Sequence, residues 1–334
     1  MLAPKSISVD WKNMNSEDKP GRAASEPVEA TSESAGNGIV ERLKHGMITS
    51  WIIGAVFLFI FGAVFGEVLG AVVNPFLKVG LSGLFDKAGV EYFLFYFNFF
   101  YYWVGMCLAL AVVKPGRKYL KDFGTAPKGN TVPMLLLGLV VGLAMNAFCI
   151  GAAVLMGNIQ GFELSAFQPL QIVLFVLVIL VQSSFEEILD RGFIFQRVNH
   201  TYGPVVAMVA NALFFSLVHS FNDGVNPLAL VSIFAIGMLL SLVRYYFDSL
   251  WIAFGIHTGW NFCQGVLFGL PNSGNATGYA VFRPVGQLTN SFAYDVAFGV
   301  ESTIVAIVLF VVLSVLVYLW GCKHPRPCYD VFNA

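Results

Sequence analysis

Beyond residue 46 the chain alternates between long apolar runs and short polar connections. Eight runs are long enough, or nearly so, to cross a bilayer as helices. They fall at about 47–73, 92–113, 132–156, 169–189, 204–221, 227–243, 250–270 and 296–320. Proline stands at or near the start of four of them, where a helix tolerates it. Gly138 and Gly142, four apart in the third run, form a face on which a neighbouring helix can pack closely. The pattern predicts an all-α membrane protein, a bundle of about eight transmembrane helices, with no internal repeat.

Residues 1–40 lack this pattern. They are rich in Ser, Glu, Ala and Gly, too polar to bury a core, and are expected to be a disordered tail. Residues 41–334 form the membrane domain. Hydrophobic residues make up 57 % of the chain and charged residues only 12 %, about half the usual charged share of a soluble domain. The net charge of −1 argues against nucleic acid as a partner. The bilayer itself is the first partner. Twelve Lys and Arg fall on one set of connections and three on the alternate set. That asymmetry predicts both termini in the cytoplasm. A bacterial plasma membrane is the favoured location. The five cysteines show no C-x-x-C spacing.

The fourth run ends in Ser183-Ser184-Phe185-Glu186-Glu187-Ile188-Leu189-Asp190-Arg191. An intramembrane charge costs roughly 2.5–3.5 kcal/mol on insertion scales, so such residues need partners or a hydrated cavity. Glu187 and Arg191 are four apart and can pair. Glu186 lies about 100° round the helix and is free to face a neighbour. His219 lies in the fifth run. His257 and Asn261, again four apart, lie in the seventh. Asn98, Asn146 and Asn211 read as interhelical hydrogen-bonding residues.

A carboxylate and a histidine converging on one water can deprotonate it. A second histidine and an amide can stabilise the oxyanion formed when that water attacks a carbonyl. The same residues can instead bind zinc through Glu186, His219 and His257, leaving a position for water. The His-Glu-x-x-His helix of many metalloproteases is absent, and no serine sits in a nucleophile elbow. A proton-coupled transporter is a further reading of intramembrane carboxylates, which the lack of a repeat disfavours.

Glu186-Glu187-x-x-x-Arg191, Phe215-x-x-x-His219 and His257-x-x-x-Asn261, on successive spans, resemble the CPBP intramembrane protease family. This family, also called the abortive-infection family, includes the type II CAAX prenyl endopeptidases. The resemblance covers about residues 130–270. It implies an intramembrane endopeptidase, of glutamate type or metalloendopeptidase-like, cleaving a peptide or lipidated CAAX-type protein that enters from the membrane or the cytosol. It implies Glu186 as the water-activating carboxylate and His219 as the histidine sharing that water. His257 and Asn261 match the oxyanion positions, and Glu187 and Arg191 the supporting pair. No cofactor is favoured over a glutamate-activated water, with zinc the alternative. A non-catalytic scaffold or immunity-type protein of the same fold is the competing function.

Overall fold

The computed structural model describes residues 47–112, 117–275, 277–325 and 327–333, with side chains from residue 53 onward. The expected tail at 1–40 lies outside these residues, as do Arg42, Lys44, His45, Lys114 and Arg326. The regular structure of the described residues is helical, apart from one two-stranded antiparallel ribbon, and a long irregular connection occupies most of residues 268–299.

Helix α1 spans Met47–Leu81, α2 Lys87–Val112, and the short α3 Tyr119–Phe123. Helix α4 is Val132–Leu155. Helix α5 is Pro169–Glu187, and passes through a π-helical segment, Ile188–Ile194, into α6, Phe195–Tyr202. Helix α7 is Pro204–Val218, closed by a 3₁₀ turn at His219–Phe221. Helix α8 is Pro227–Phe247. Helix α9 is Leu250–Asn261, again followed by a π segment, Phe262–Leu267. Helix α10 is Ile304–Lys323. Strands β1, Phe162–Leu164, and β2, Phe282–Pro284, pair across the loops at one end of the bundle.

Among the described residues seven helices are long and apolar enough to cross a membrane. The seventh run of the sequence, about 250–270, is not one of them. Its helix carries His257, Asn261 and Gln264, which dilute its apolarity, and it is almost wholly buried within the bundle. The fourth run extends beyond its expected end at residue 189, to make an unbroken helix over Pro169–Tyr202 of 34 residues. At about 1.5 Å per residue it is roughly 50 Å long, well over the ~30 Å hydrocarbon core. The charged stretch therefore sits inside a helix, not at its end.

Burial sorts the helices. The apolar windows of α1 and α10 are only 22 % and 17 % buried, so their exposed Val, Ile, Leu and Phe face lipid. That of α8 is 56 % buried and lies inside. A core of Cys149, Ile150, Leu240, Ile256, Trp260 and Phe310 joins α4, α8, α9 and α10. An aromatic cluster of Phe85, Tyr92, Phe93, Phe175 and Tyr279 ties α2 to α5 and to the long loop after α9.

Gly138 and Gly142 of α4 meet Gly255 and Gly259 of α9. A Cβ on any of the four would collide with a backbone carbonyl of the opposing helix: Ile252 or Ile256 on one side, Leu135 or Leu139 on the other. Small residues on both helices thus let the two backbones touch. His257 and Asn261 follow Gly255 and Gly259 by two positions, about 200° round the helix. The glycine seam to α4 therefore directs them to the opposite side, toward α5.

Candidate active site

The site starts from Glu187 and Arg191, both with fully buried side chains, paired at 3.0 Å along the helix. The Arg191 guanidinium also donates to the carbonyl of Gly237 in α8 at 3.2 Å. It lies over the Phe215 ring of α7, 4.6 Å from the ring centre. A buried charge needs such compensation, and here it comes from an acid, a carbonyl and a π face. The ion pair thereby joins α5, α7 and α8. Below it, Asn211 donates to Asp190 at 3.3 Å, and Ser241 donates to Asn211 at 2.7 Å.

His257 completes the network. Its Nδ1 lies 3.0 Å from the Glu187 Oε1 that also receives Arg191. In a neutral ring the Nδ1 proton is held by the carboxylate, which leaves Nε2 as an acceptor. That Nε2 faces Glu186 Oε2 at 3.7 Å. The second Glu186 oxygen, Oε1, accepts from Gln182 at 2.6 Å. The Glu186 carboxylate is thus held by one oxygen, while Oε2 is buried with no hydrogen-bond partner among the described residues.

His219 stands across the space, where α7 tightens into its 3₁₀ turn. Its Nδ1 lies 2.8 Å from the carbonyl of Phe215, one of the free carbonyls at the helix end. Nε2 is then the nitrogen left for chemistry. Phe215 therefore supports three neighbours: Arg191 on its face, His257 edge-on at 6.0 Å, and His219 through its carbonyl.

Glu186, His219, His257 and Asn261 line one cavity of about 730 Å³, within the usual range for ligand sites. Its polar wall comes from these residues and Gln182. The opposite wall is apolar, built by Val56, Phe59 and Ile60 of α1 and by Phe95 and Phe99 of α2. Because α5 runs on past Glu186 into α6, Glu186 and His219 lie at similar distances along the chain from the turn at Gly203. Glu187 and Arg191 lie behind this wall and do not line the cavity.

Asn222, Asn272, Ser273 and Asn275, from the connections at the end of the bundle poor in Lys and Arg, form the rim of the cavity. Ser273, at a φ of 50°, is held by its backbone and hydroxyl to Glu301, which also accepts from Trp260. Burial pushes the Glu301 carboxyl above its ordinary value, against those hydrogen bonds and the nearby His219, which draw it down.

Two contributors escaped the sequence reading, Gln182 and Glu301. Gln182 had a signal: it lies one helical turn before Glu186, a polar residue inside an apolar run. Glu301 carried the same signal, a carboxylate within the eighth apolar run, but lay outside the motifs. Glu186 meets His257, and no ion-pair contact within 4.0 Å joins it to His219 among the described residues. For zinc, no cluster of three or more His, Cys, Asp or Glu suited to a metal occurs among the described residues. Glu186, His219 and His257 do not form such a cluster as placed, and no step below passes through a metal.

A polytopic α-helical membrane bundle, with an acid–histidine constellation around an interior cavity, is the class that fold and site define. Residues 168–263 match the family model described as type II CAAX prenyl endopeptidase Rce1-like. This segment, under a third of the chain, is similar to the Rce1-like family and supports the resemblance to the CPBP intramembrane proteases. The match supports an intramembrane protease of the CAAX type in general, and with it a membrane-associated protein substrate. No curated protein and no solved structure matches the chain.

Proposed function

We propose that the protein hydrolyses a peptide bond of a membrane-associated substrate, of CAAX type, with a water activated by Glu186. The observation that carries this reading is the buried, unpartnered Oε2 of Glu186, set 3.7 Å from His257 Nε2 on the wall of the cavity. A water between these two acceptors gives up a proton as its oxygen attacks the scissile carbonyl. The C–N bond then breaks, and the proton passes to the leaving amine.

The geometry favours a different division of labour from the one the family resemblance implies. His257, oriented by Glu187 and Arg191, is the histidine nearer Glu186 and shares the water. Asn261 uses one amide hydrogen on Gln182 and keeps another for the developing oxyanion. His219, with Nδ1 on the Phe215 carbonyl, turns Nε2 to the same cavity opposite Asn261. Glu187 and Arg191 do not touch substrate in this scheme.

The apolar wall suits a lipid-modified segment entering from the bilayer, and the polar rim suits the peptide. Glu186→Gln keeps the size and the contact with Gln182 but removes the base. Cleavage is expected to fall by at least about 100-fold with an unchanged melting temperature. Cleavage at the wild-type rate by a folded Glu186→Gln protein would overturn the assignment.

A further inference from the structure

The geometry points to Gln182 as a positioning residue that sets both the base and the oxyanion donor through one side-chain amide. This rests on the Glu186-dependent hydrolysis proposed above and adds to it a residue outside the three motifs.

Gln182 occupies the turn before Glu186 on α5, and its side chain is buried at the cavity wall. Its Nε2 donates to Glu186 Oε1 at 2.6 Å, and its Oε1 accepts from Asn261 Nδ2 at 3.1 Å. Ser183 donates to the same Oε1 at 3.3 Å. The amide therefore spans α5 and α9 and has its polarity fixed from both sides. An acceptor toward Asn261 requires a donor toward Glu186.

Two consequences follow for the reacting atoms. First, Glu186 is left with Oε2 as the oxygen directed at His257. Without the Gln182 donor the carboxylate rotates freely about its last bond, and either oxygen meets the water. Second, Asn261 is oriented with its amide nitrogen in the site. If Asn261 turned its oxygen inward it would repel an oxyanion, and the Gln182 carbonyl disfavours that turn because it would then face the Asn261 oxygen. A residue chosen only for packing would not need both a donor and an acceptor. Leucine fills the same space at less desolvation cost in an apolar helix.

Three variants test this: Gln182→Leu, Gln182→Glu and Glu186→Gln, purified in detergent and assayed on a farnesylated CAAX peptide. Gln182→Leu is expected to lower kcat about 10- to 100-fold, the loss of one hydrogen bond to a charged group, with KM within twofold of wild type. Gln182→Glu retains the acceptor for Asn261 but sets a carboxylate against Glu186. Two carboxylates in that contact resist joint ionisation, so the acidic limb of its kcat profile is expected to move to higher pH. A packing role would change the amount or melting temperature of folded protein and leave the limb in place. Wild-type kcat in folded Gln182→Leu, beside an inactive Glu186→Gln, overturns the inference alone. Full activity in Glu186→Gln overturns the underlying mechanism instead. An unmoved acidic limb in an active Gln182→Glu protein also counts against the inference.

Discussion

At the residue scale the site depends on a few buried charges and the hydrogen bonds that fix them. Arg191 balances Glu187, and Glu187 orients His257. Replacing Arg191 by Met leaves a carboxylate buried without its cation, which costs about 3–5 kcal/mol. The expected outcome is loss of folded protein in a detergent melting assay. The double variant Arg191→Met, Glu187→Gln removes both charges and is expected to recover most of the stability, though not the orientation of His257. A double variant as unstable as the single one would show that the pair is not what holds the two helices. The intramembrane carboxylates, histidines and Asn261 were legible in the sequence, because polar residues at helical spacing in apolar runs must have partners. Which histidine meets Glu186 was not legible. That depends on a ring rotation set by Glu187, a contact between helices 70 positions apart.

At the element scale, two π-helical segments begin right after the site residues, one at Ile188 and one at Phe262. Such segments recur at functional sites, and no local pattern of apolar residues announces them. The extension of α5 into α6 was hidden for a related reason. Charged Asp190 and Arg191 read as the end of a span, yet both are buried by partners on α7 and α8. The Gly138–Gly142 face, by contrast, was legible as a contact, and its partner proved to be Gly255 and Gly259. Gly142→Leu is expected to drive α9 from α4, lower the melting temperature and abolish activity together. Retention of both would mean that this seam does not position His257.

The C-terminal segment gives a second test at this scale. Asp122, on α3, pairs with Arg244 at 2.6 Å and receives Gln196, while Asp248 receives the backbone of Tyr329. Burial, with Asp248 adding to it against the pull of Arg244, pushes the Asp122 carboxyl up to about 7. The folded form then binds this proton more tightly than the unfolded chain, whose ordinary value is 3.8. Stability from this group is full below about pH 4, falls as pH rises toward 7, and is level above that. Hydrogen exchange in residues 327–333 is expected to quicken between pH 5 and 7.5, and Asp122→Asn to flatten that slope. An unchanged slope in the variant would remove Asp122 from the account.

At the scale of the whole molecule, the bundle has two unlike ends. One holds α3, the Asp248 turn and the docked C-terminal segment, and carries most of the Lys and Arg. The other holds the β ribbon and the cavity rim. The charge count was readable from sequence, whereas the side on which the cavity opens was not, because that depends on where loops 219–226 and 268–299 fold over the helices. A cysteine at Asn275 and the exposed native Cys322 are expected to react with an impermeant maleimide from opposite faces of sealed vesicles. Labelling of both from one face would contradict the placement of the rim.

The most direct test of the central claim is peptide release from a farnesylated CAAX substrate by the reconstituted protein, comparing wild type with Glu186→Gln. Release by the wild type, with a fall of at least about 100-fold in the folded variant, is the predicted result. Equal release by the two proteins would contradict a glutamate-activated water at this site.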